Sequence, residues 1–402
     1  MRTEKLLVVV LLLALAASCS LSPRKAGPPA EPSADMILPE TARTVTTEPA
    51  EPGPVKSAAL VPATWEDVEG WEQDNPEYAL DAFLKSCSAV GQRQEWQEVC
   101  AEAALLAGQE VPDVRGFFER FFTPYQLTDT NHDPVGLATG YYIPDLRGSR
   151  HWSPAYPYPL YRRPADLLVV DLSTVYPELS GYRLRGRLDE QRVLPYWDRA
   201  QIEGSRSPLQ GQELLWVDDP VELFFLHIQG SGRILFEDGS WSMVNYAGQN
   251  GHPYRSISKW LLARDIMPPE KMSMQSIRAW ARDNPSQVRD LLNTNPSYVF
   301  FRELPGDAES PPGALGVPLT PGRSVAVDPR YIPLGAPVFL ATTWPNTNRP
   351  LFRLMMAQDT GGAINGPVRA DFFWGMGDAA GMEAGRMKQP LWMWVLLPEK
   401  RF

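Results

Sequence analysis

The stretch LMMAQDTGGAING, residues 354–366, contains the triplet Asp359-Thr360-Gly361. Aspartic proteases use two such triplets, but no second Asp-Thr-Gly or Asp-Ser-Gly occurs in this chain. The segment 129–131 is the most similar to this triplet, but it lacks the glycine that would let the backbone approach the site closely. A protease with one triplet would be a small subunit that borrows its second carboxylate from a twin, and 402 residues are too many for that. The chemistry therefore has to work with one aspartate.

Other catalytic patterns find little support. The histidines are His132, His151, His227 and His252. They form no i, i+4 pair and have no acidic partner at metal spacing, so we expect neither a zinc peptidase nor a zinc amidase, and we predict no metal and no organic cofactor. A Gly-x-Ser-x-Gly nucleophile elbow is missing as well. The formal charge of −10, without clusters of lysine or arginine, argues against a nucleic-acid partner.

The N-terminus has the pattern of a bacterial lipoprotein signal. Basic side chains precede twelve apolar residues, Leu6 to Ala17, which is too few to span a bilayer that needs about 20. Small residues end this run directly before Cys19, so we predict a signal peptide over residues 1–18 and acylation of the Cys19 thiol. An ordinary signal peptide with an incidental cysteine is the alternative. The residue after the cysteine is Ser20 and not an aspartate, which resembles the sorting signal of outer-membrane lipoproteins. We therefore predict a lipid-anchored protein on the periplasmic face of the outer membrane.

Residues 19–62 are predicted to be a disordered tether. Nine prolines lie among Ala, Glu, Thr and Ser between residues 20 and 62, and large apolar side chains are scarce. Such a segment cannot bury enough surface to fold. At roughly 3.1 Å per residue, it would hold a folded domain on the order of 100 Å from the membrane.

Acylation of Cys19 would leave Cys87 and Cys100 as a pair in an oxidising compartment. Both lie on helical patterns, the first beginning at Asn75 and Pro76. Two short helices that meet near residue 91 would bring the thiols together in a disulfide, and two buried free cysteines are the alternative.

The remaining elements indicate a discontinuous α+β architecture. A third helix carries the apolar stripe Phe117, Phe118, Phe121 and Phe122, which is typical of a core. Short alternating runs between about 138 and 250 predict a small β-barrel, and we interpret VELFFLHIQGSGRILFEDGSW, with His227, as part of these strands. Helices return from Tyr254 to about Leu292, and strands follow. One β-rich domain is therefore inserted into another, and the cleft between them is a natural binding place.

Several stretches resemble the family of membrane-bound lytic murein transglycosylase A. They are TGYYIP (139–144), LFFLHIQGSGRI (223–234), VNYAGQNGHPYRSISKWL (244–261), VAVDPRYIPLGAPVFL (325–340) and AQDTGGAINGPVRADFFWGMGDAAGMEAG (357–385). The last part resembles the 3D domain, whose three aspartates fall on Asp328, Asp359 and Asp371. The resemblance implies a double-psi β-barrel from residues 63–140 and 251–402, a second barrel inserted at 141–250, and a glycan in the groove between them.

The family makes Asp359 the catalytic residue, and a single acid suits the chemistry it implies. An ordinary glycosidase needs two carboxylates, one for the leaving oxygen and one for water or C1. A lytic transglycosylase uses the C6 hydroxyl of the sugar instead, and an intramolecular attack can have an effective molarity of roughly 10⁵ M. The role needs a carboxyl that still carries its proton near neutral pH, which the apolar LMMAQ segment favours. A turn aspartate is the alternative.

We predict supporting roles for residues near Asp359 and in the other matching stretches. We expect Asp328 to be a turn or cap residue, Asp371 to brace the glycine-rich loops, and Gly361 and Gly362 to let a glycan approach the backbone. Core packing is the alternative for each candidate tyrosine, and a helix N-cap is the alternative for Asp378. Ala138 stands where a larger aromatic residue is expected in relatives. The predicted sugar-contacting residues are Thr139, Tyr142, Gln229, Ser231, Gly232, Tyr246 and Asp378.

These observations predict a lipoprotein that cleaves the β-1,4 bond between N-acetylmuramic acid and N-acetylglucosamine and releases 1,6-anhydromuropeptides. Its predicted partners are peptidoglycan glycan strands, the outer membrane and proteins of cell-wall synthesis or division complexes. A hydrolase is the first alternative, with Asp378 or Asp371 activating water. A non-catalytic peptidoglycan-binding lipoprotein is the second, since a long tether would serve it equally well.

Overall fold

The computed structural model describes residues 60–179, 182–306 and 308–399. The predicted signal peptide, Cys19 and all but the end of the predicted tether lie outside the described residues. That end, Leu60–Pro62, is a strand and not a tether, because its backbone pairs antiparallel with Phe122–Leu127. Among the described helices, none is both long and apolar enough to cross a membrane.

The secondary structure alternates short strands with short helices. The strands are β1 (Leu60–Pro62), β2 (Phe122–Leu127), β3 (Gly136–Ile143), β4 (Asp145–Ser149), β5 (Tyr158–Tyr161), β6 (Leu168–Val169), β7 (Arg185–Asp189), β8 (Arg192–Pro195), β9 (Glu213–Val217), β10 (Ser231–Leu235), β11 (Trp241–Gln249), β12 (Val299–Glu303), β13 (Ser324–Ala326), β14 (Pro337–Thr343), β15 (Pro350–Asp359), β16 (Arg369–Met376) and β17 (Lys388–Pro398). The helices are α1 (Glu77–Val90), α2 (Gln97–Ala107), α3 (Val114–Phe121), α4 (Arg199–Ile202), α5 (Pro220–Gln229), α6 (Ile257–Leu262), α7 (Met274–Asp283), α8 (Pro285–Asn293) and α9 (Gly377–Ala384).

Strands from both ends of the folded chain close into a barrel. Going round the ring, β17 pairs with β14, β14 with β15, β15 with β13, β13 with β16, β16 with β3, and β3 again with β17. The β13–β15 and β16–β3 pairs are parallel, and the others are antiparallel. Helices α1 to α3 cover this barrel with apolar side chains. Of the predicted helical stripe, Phe117, Phe118 and Phe121 lie on α3, whereas Phe122 is the first residue of β2. The predicted α+β fold class is confirmed.

A second sheet has the strand order β12-β11-β10-β4-β9-β5. A bridge between Arg162, directly after β5, and Phe301 of β12 brings the two edges of this sheet together. The sequence prediction ended the inserted domain at residue 250 and gave everything beyond it to the first barrel. That boundary is wrong for Val299–Glu303, because this strand pairs with β11 after a helical excursion of about 50 residues. Strands β6, β7 and β8 form a small separate sheet.

The stretch VELFFLHIQ is a helix, so its interpretation as a strand was wrong, and His227 is a helical residue. Asp219 caps the helix by accepting hydrogen bonds from the first-turn amides, and Pro220 occupies the first position. Gly230 ends the helix at φ +76°, in the left-handed region that favours glycine. Nearly every side chain of α5 is buried, so the run lacks the polar face that would reveal helical periodicity.

Helix α1 ties the N-terminal segment to the barrel. Asn75 accepts a hydrogen bond from the amide of Glu77 at the start of this helix. Cys87 of α1 and Cys100 of α2 form a disulfide with Cα atoms 5.5 Å apart. Upstream, Asp74 makes a buried bidentate ion pair with Arg323, which precedes β13. These links hold α1 against β15, the strand that ends at Asp359.

Candidate active site

A β-bulge at the end of β15 decides which way Asp359 faces. In the parallel pair of β13 and β15, Val325 lies opposite Ala357. The next residue, Ala326, lies opposite Asp359, which leaves Gln358 as the extra residue. Bulges redirect side chains and are frequent next to active sites. Without the bulge, Gln358 would occupy the position that Asp359 holds.

The shift brings Asp359 into a row of side chains that runs across four strands. Ala326 pairs with Asp371 of β16, and Asp371 pairs with Thr139 of β3. Residues directly opposite each other on neighbouring strands share a face of the sheet. The apolar cluster on this face contains Ala326 and also Met243 of β11, so the row faces the second sheet.

The Asp359 carboxyl is fully buried, with 0% of its surface exposed. Its Oδ1 accepts hydrogen bonds from the backbone amides of Ala314, at 3.0 Å, and Thr360, at 2.9 Å. Its Oδ2 accepts a hydrogen bond from the Tyr141 hydroxyl at 3.0 Å. All three of these donors are neutral groups. These three contacts hold the carboxyl in one orientation.

Neighbouring residues fix the backbone around this carboxyl. The amide of the Gln358 side chain donates to the Ala82 carbonyl at 2.7 Å and to the Ser86 hydroxyl at 2.9 Å, both on α1. The backbone amide of Leu315 donates to the Gln358 carbonyl at 3.0 Å, so residues 313–315 cover the strand end. Gly313 lies so close to that carbonyl that a Cβ atom would collide with it, which explains the glycine.

Asp328 holds the loop that follows Asp359. Its carboxylate accepts hydrogen bonds from the Arg330 guanidinium, the closest at 2.6 Å, and from the backbone amide of Gly366 at 2.8 Å. It also accepts from the backbone amide of Arg330, which is the geometry of an aspartate turn. Arg330 has a further contact with Asn365 at 3.4 Å. Asp328 therefore connects the segment after β13 to the glycine-rich loop.

Asp371 belongs to a second buried polar group beside the row. Thr139 donates from its hydroxyl to Asp371 Oδ1 at 2.6 Å. The same hydroxyl accepts a hydrogen bond from Arg369 at 2.9 Å, and burial lowers the pKa of that guanidinium. The Thr139 hydroxyl is thus hydrogen-bonded to both Asp371 and Arg369 inside the barrel wall.

A cavity of about 620 Å³ lies next to this site. Gly362, Ala363 and Asn365, from the loop after Asp359, are among the residues that line it. Arg199 and His227, from the inserted part of the chain, line it as well. The cavity therefore lies where the sequence predicts a groove between two β-rich parts. Gly361, by contrast, forms the turn itself, and a Cβ atom there would collide with the side chain of Ile364.

The predicted sugar contacts in HIQGSG are buried in the structure. Gln229 accepts a hydrogen bond from the Tyr142 backbone amide at 3.4 Å, and Ser231 accepts one from the Asn245 side chain at 2.8 Å. At Gly232 a Cβ atom would collide with the side chain of Leu226, so this glycine permits close packing of α5 on β10. None of these three residues is among those that line the cavity, so their buried contacts give them a structural role.

The two candidate tyrosines also pack into apolar clusters. Tyr142 lies among the side chains of α5 to α9, and Arg278 donates to its hydroxyl at 3.3 Å. Tyr246 lies in the core of the second sheet. Burial raises the pKa of both hydroxyls. Asp378 is exposed in the first turn of α9, and the N-cap position of that helix is held by Met376.

Sequence reasoning missed Tyr141, the residue that contacts Asp359. It selected Tyr142, although successive side chains on a strand point to opposite faces. Thr139 and Tyr141 are two residues apart on β3, so they share the face that carries Asp371 and Asp359. The alternation itself was the signal that distinguishes the two tyrosines. In the described part of the chain, no group of three or more His, Cys, Asp or Glu side chains could hold a metal ion.

Comparison with known proteins identifies two family domains. The model described as the MltA specific insert domain matches residues 137–302, and the 3D domain model matches residues 323–397. The first match ends one residue before the end of β12, in agreement with the pairing of that strand. The second match contains all three aspartates, Asp328, Asp359 and Asp371.

Whole proteins and solved structures match over most of the chain. The membrane-bound lytic murein transglycosylase A of Escherichia coli K12 is 33% identical over 311 residues, 75% of this chain and 74% of that protein. A crystal structure of MltA from Neisseria gonorrhoeae is 37% identical, has a TM-score of 0.76, and covers 92% of this chain and 99% of its own. A crystal structure of E. coli MltA with bound chitohexaose is 27% identical, has a TM-score of 0.61, and covers 87% of this chain and 97% of its own.

Proposed function

The chain belongs to the family of membrane-bound lytic murein transglycosylase A, and on that basis we propose that it cleaves the MurNAc-β-1,4-GlcNAc bond of peptidoglycan with formation of 1,6-anhydromuramic acid. Asp359 is the proposed catalytic residue and acts first as an acid and then as a base. The glycan lies in the cavity beside the loop 361–366. The chitohexaose bound to the E. coli relative supports an oligosaccharide substrate.

The proposed reaction consumes no water. Asp359 donates its proton to the glycosidic oxygen as the bond from that oxygen to C1 breaks, so the N-acetylglucosamine portion leaves as an alcohol. The C6 hydroxyl of the muramic acid then attacks C1 and gives its proton to the Asp359 carboxylate, which restores the acid. Holding this hydroxyl beside C1 supplies the nucleophile that a hydrolase would take from solvent.

The position of Asp359 is the observation that supports this proposal most strongly. The bulge at Gln358 turns its carboxyl toward the second sheet, three residues before the loop that lines the cavity. Ala314, Thr360 and Tyr141 donate hydrogen bonds to it and can hold the carboxylate that forms when the proton leaves. The buried setting excludes water, which favours the intramolecular route.

The proposal includes an opening of the cover over Asp359. Residues 313–315 bury the carboxyl, and the cavity lining begins beyond it at Gly362. A glycan can reach Oδ2 only when this cover or the loop moves aside. We therefore expect amide hydrogen exchange at Ala314 to become faster when chitohexaose binds to the inactive Asp359→Asn variant.

Mass spectrometry of soluble products from purified sacculi tests the reaction. The chain lacking residues 1–19 should release muropeptides that are lighter by one water than hydrolytic products, and the Asp359→Asn variant should release none. Products of hydrolytic mass would mean that a second carboxylate, Asp371 or Asp378, activates water. Binding to sacculi without any release by either form would identify a non-catalytic peptidoglycan-binding protein.

We also propose that Cys19 anchors the enzyme to the outer membrane on its periplasmic side. The relatives are named membrane-bound, and the twelve-residue apolar run before Cys19 fits a lipoprotein signal. The full chain expressed in a Gram-negative cell should incorporate radiolabelled palmitate and sediment with outer membranes. The Cys19→Ser variant should lose the label, and a labelled variant would show that acylation occurs elsewhere.

A further inference from the structure

One buried polar atom of a residue that lines the cavity lacks a hydrogen-bond partner. His227 lines the cavity, and its side chain is buried, with 5% of its surface exposed. Nε2 of its ring has less than 1 Å² of exposed surface and makes no hydrogen bond with the protein. Other buried side-chain atoms without a partner occur in the described part of the chain, but none of them belongs to a residue that lines this cavity. In the unfolded chain this atom would form a hydrogen bond with water, so burying it without a partner costs free energy.

Arg199 determines which nitrogen of the ring carries the proton. Its Nη2 lies 2.9 Å from His227 Nδ1. A guanidinium can only donate, so Nδ1 must accept, and the proton of the neutral ring is on Nε2. Arg199 is itself held by Glu203, at 2.7 Å, and by the carbonyls of Asn295 and Ser297. The atom without a partner is therefore a hydrogen-bond donor whose tautomer is fixed.

The ring is also held in place and kept neutral. Phe301 stacks on it with ring centroids 5.6 Å apart, and Tyr298 packs against it with centroids 4.4 Å apart. Burial, together with the neighbouring Arg199 cation, holds the pKa of His227 well below its usual range. A neutral N–H donor suits a neutral carbonyl oxygen. Ile228 and Val299 add apolar surface to the same cavity.

We infer that His227 is a specificity-determining residue whose Nε2–H donates to the carbonyl oxygen of an N-acetyl group when the bound glycan displaces the atoms that cover this nitrogen. The methyl of that acetamido group contacts the apolar wall beside the ring. This inference rests on the proposed glycan substrate. It adds a means by which the cavity distinguishes N-acetylated sugars from sugars with free amines.

Calorimetric binding in the Asp359→Asn background tests the inference without turnover. The two ligands are chitohexaose and the corresponding hexamer of unacetylated glucosamine. His227→Phe should weaken chitohexaose binding about tenfold, which corresponds to about 1.4 kcal/mol for one lost hydrogen bond, and leave the glucosamine hexamer unchanged. His227→Gln keeps an amide donor and should recover part of the loss. Tyr298→Phe removes a neighbouring hydroxyl that also lacks a partner and should change neither affinity.

A purely structural histidine would behave differently. Equal weakening of both ligands by His227→Phe, or unchanged binding of chitohexaose, would overturn the inference. If chitohexaose fails to bind even with His227 intact, the proposed glycan site is wrong, and the inference fails with it. Should the phenylalanine variant not fold, ¹⁵N-histidine spectra of the Asp359→Asn protein decide the question. The Nε2–H resonance of His227 should shift when chitohexaose is added, and an unmoved resonance would refute the donor role.

Discussion

Replacing Tyr141 by phenylalanine removes the hydroxyl that donates to Asp359 Oδ2 at 3.0 Å and leaves the ring in place. The ring packs against Phe373 with centroids 5.1 Å apart, so the substitution should not disturb the barrel wall. The amides of Ala314 and Thr360 still donate to Oδ1. The variant therefore removes one identified donor of the proposed proton carrier and keeps the aromatic ring.

The size of the effect follows from the charge that forms. When Asp359 gives its proton to the glycosidic oxygen, the Tyr141 hydroxyl faces a carboxylate, and a hydrogen bond to a charged group contributes about 1.5–3 kcal/mol. At 1.36 kcal/mol for each factor of ten, kcat should fall roughly 10- to 150-fold. KM should change little, because the charge is absent in the substrate complex.

The assay is the initial rate of anhydromuropeptide release from sacculi, with Tyr142→Phe as the matched control. Tyr142 is the next residue on β3, and its hydroxyl contacts Arg278 on the opposite side of the strand. A wild-type kcat for Tyr141→Phe would refute the role of this contact. An equal loss in Tyr142→Phe would show that both tyrosines act through packing.

Three further predictions concern stability, each measured by urea unfolding. Asp74→Ala leaves the buried Arg323 guanidinium without its carboxylate partner. The free energy of unfolding should therefore fall by about 3–5 kcal/mol, with an unchanged m-value. A loss below about 1 kcal/mol would contradict the role of this ion pair. Replacing Cys87 and Cys100 together by alanine removes a cross-link between residues 13 apart and should cost about 3 kcal/mol, whereas reducing agent should not affect the double variant. His227 has a folded-state pKa well below 6.5, so as the pH falls below about 6.5 the unfolded chain takes up a proton that the folded chain does not. Relative to His227→Phe, stability should therefore fall by up to about 1.4 kcal/mol per pH unit until the folded-state pKa is reached, and equal slopes would refute the neutral assignment.

Local signals in the sequence predicted most helices and the strands near them. Asn284-Pro285 marks the start of α8 as the structure has it, because the proline needs no amide partner at that position. The aromatic stripe of α3 is buried in the barrel core. The same kind of signal was available for α5, where Asp219-Pro220 precedes the helix and Gly230 follows it. The prediction took no account of these cap residues, because the uniformly apolar run concealed the helix.

Non-local features could not be predicted in this way. The pairing of β12 with β11 joins segments that are separated by three helices, and no local pattern records it. The bulge at Gln358 is visible only when the register of β13 against β15 is known. The link between Arg199 and His227 joins two helices that are distant in sequence. Such features depend on the tertiary arrangement, which composition and periodicity describe only in outline.

The three aspartates of the C-terminal domain differ in the partners that the structure gives them. Asp328 accepts hydrogen bonds from the Arg330 guanidinium, whereas the donors described for Asp359 are two amides and a phenol. A guanidinium favours the charged form of a carboxylate beside it, which suits a residue that braces a loop. The same contact would oppose a residue that must lose and regain a proton in every cycle. Neutral donors stabilise the carboxylate when it forms and still allow the proton to return, which is consistent with the proposal that Asp359 is catalytic and that Asp328 braces the loop.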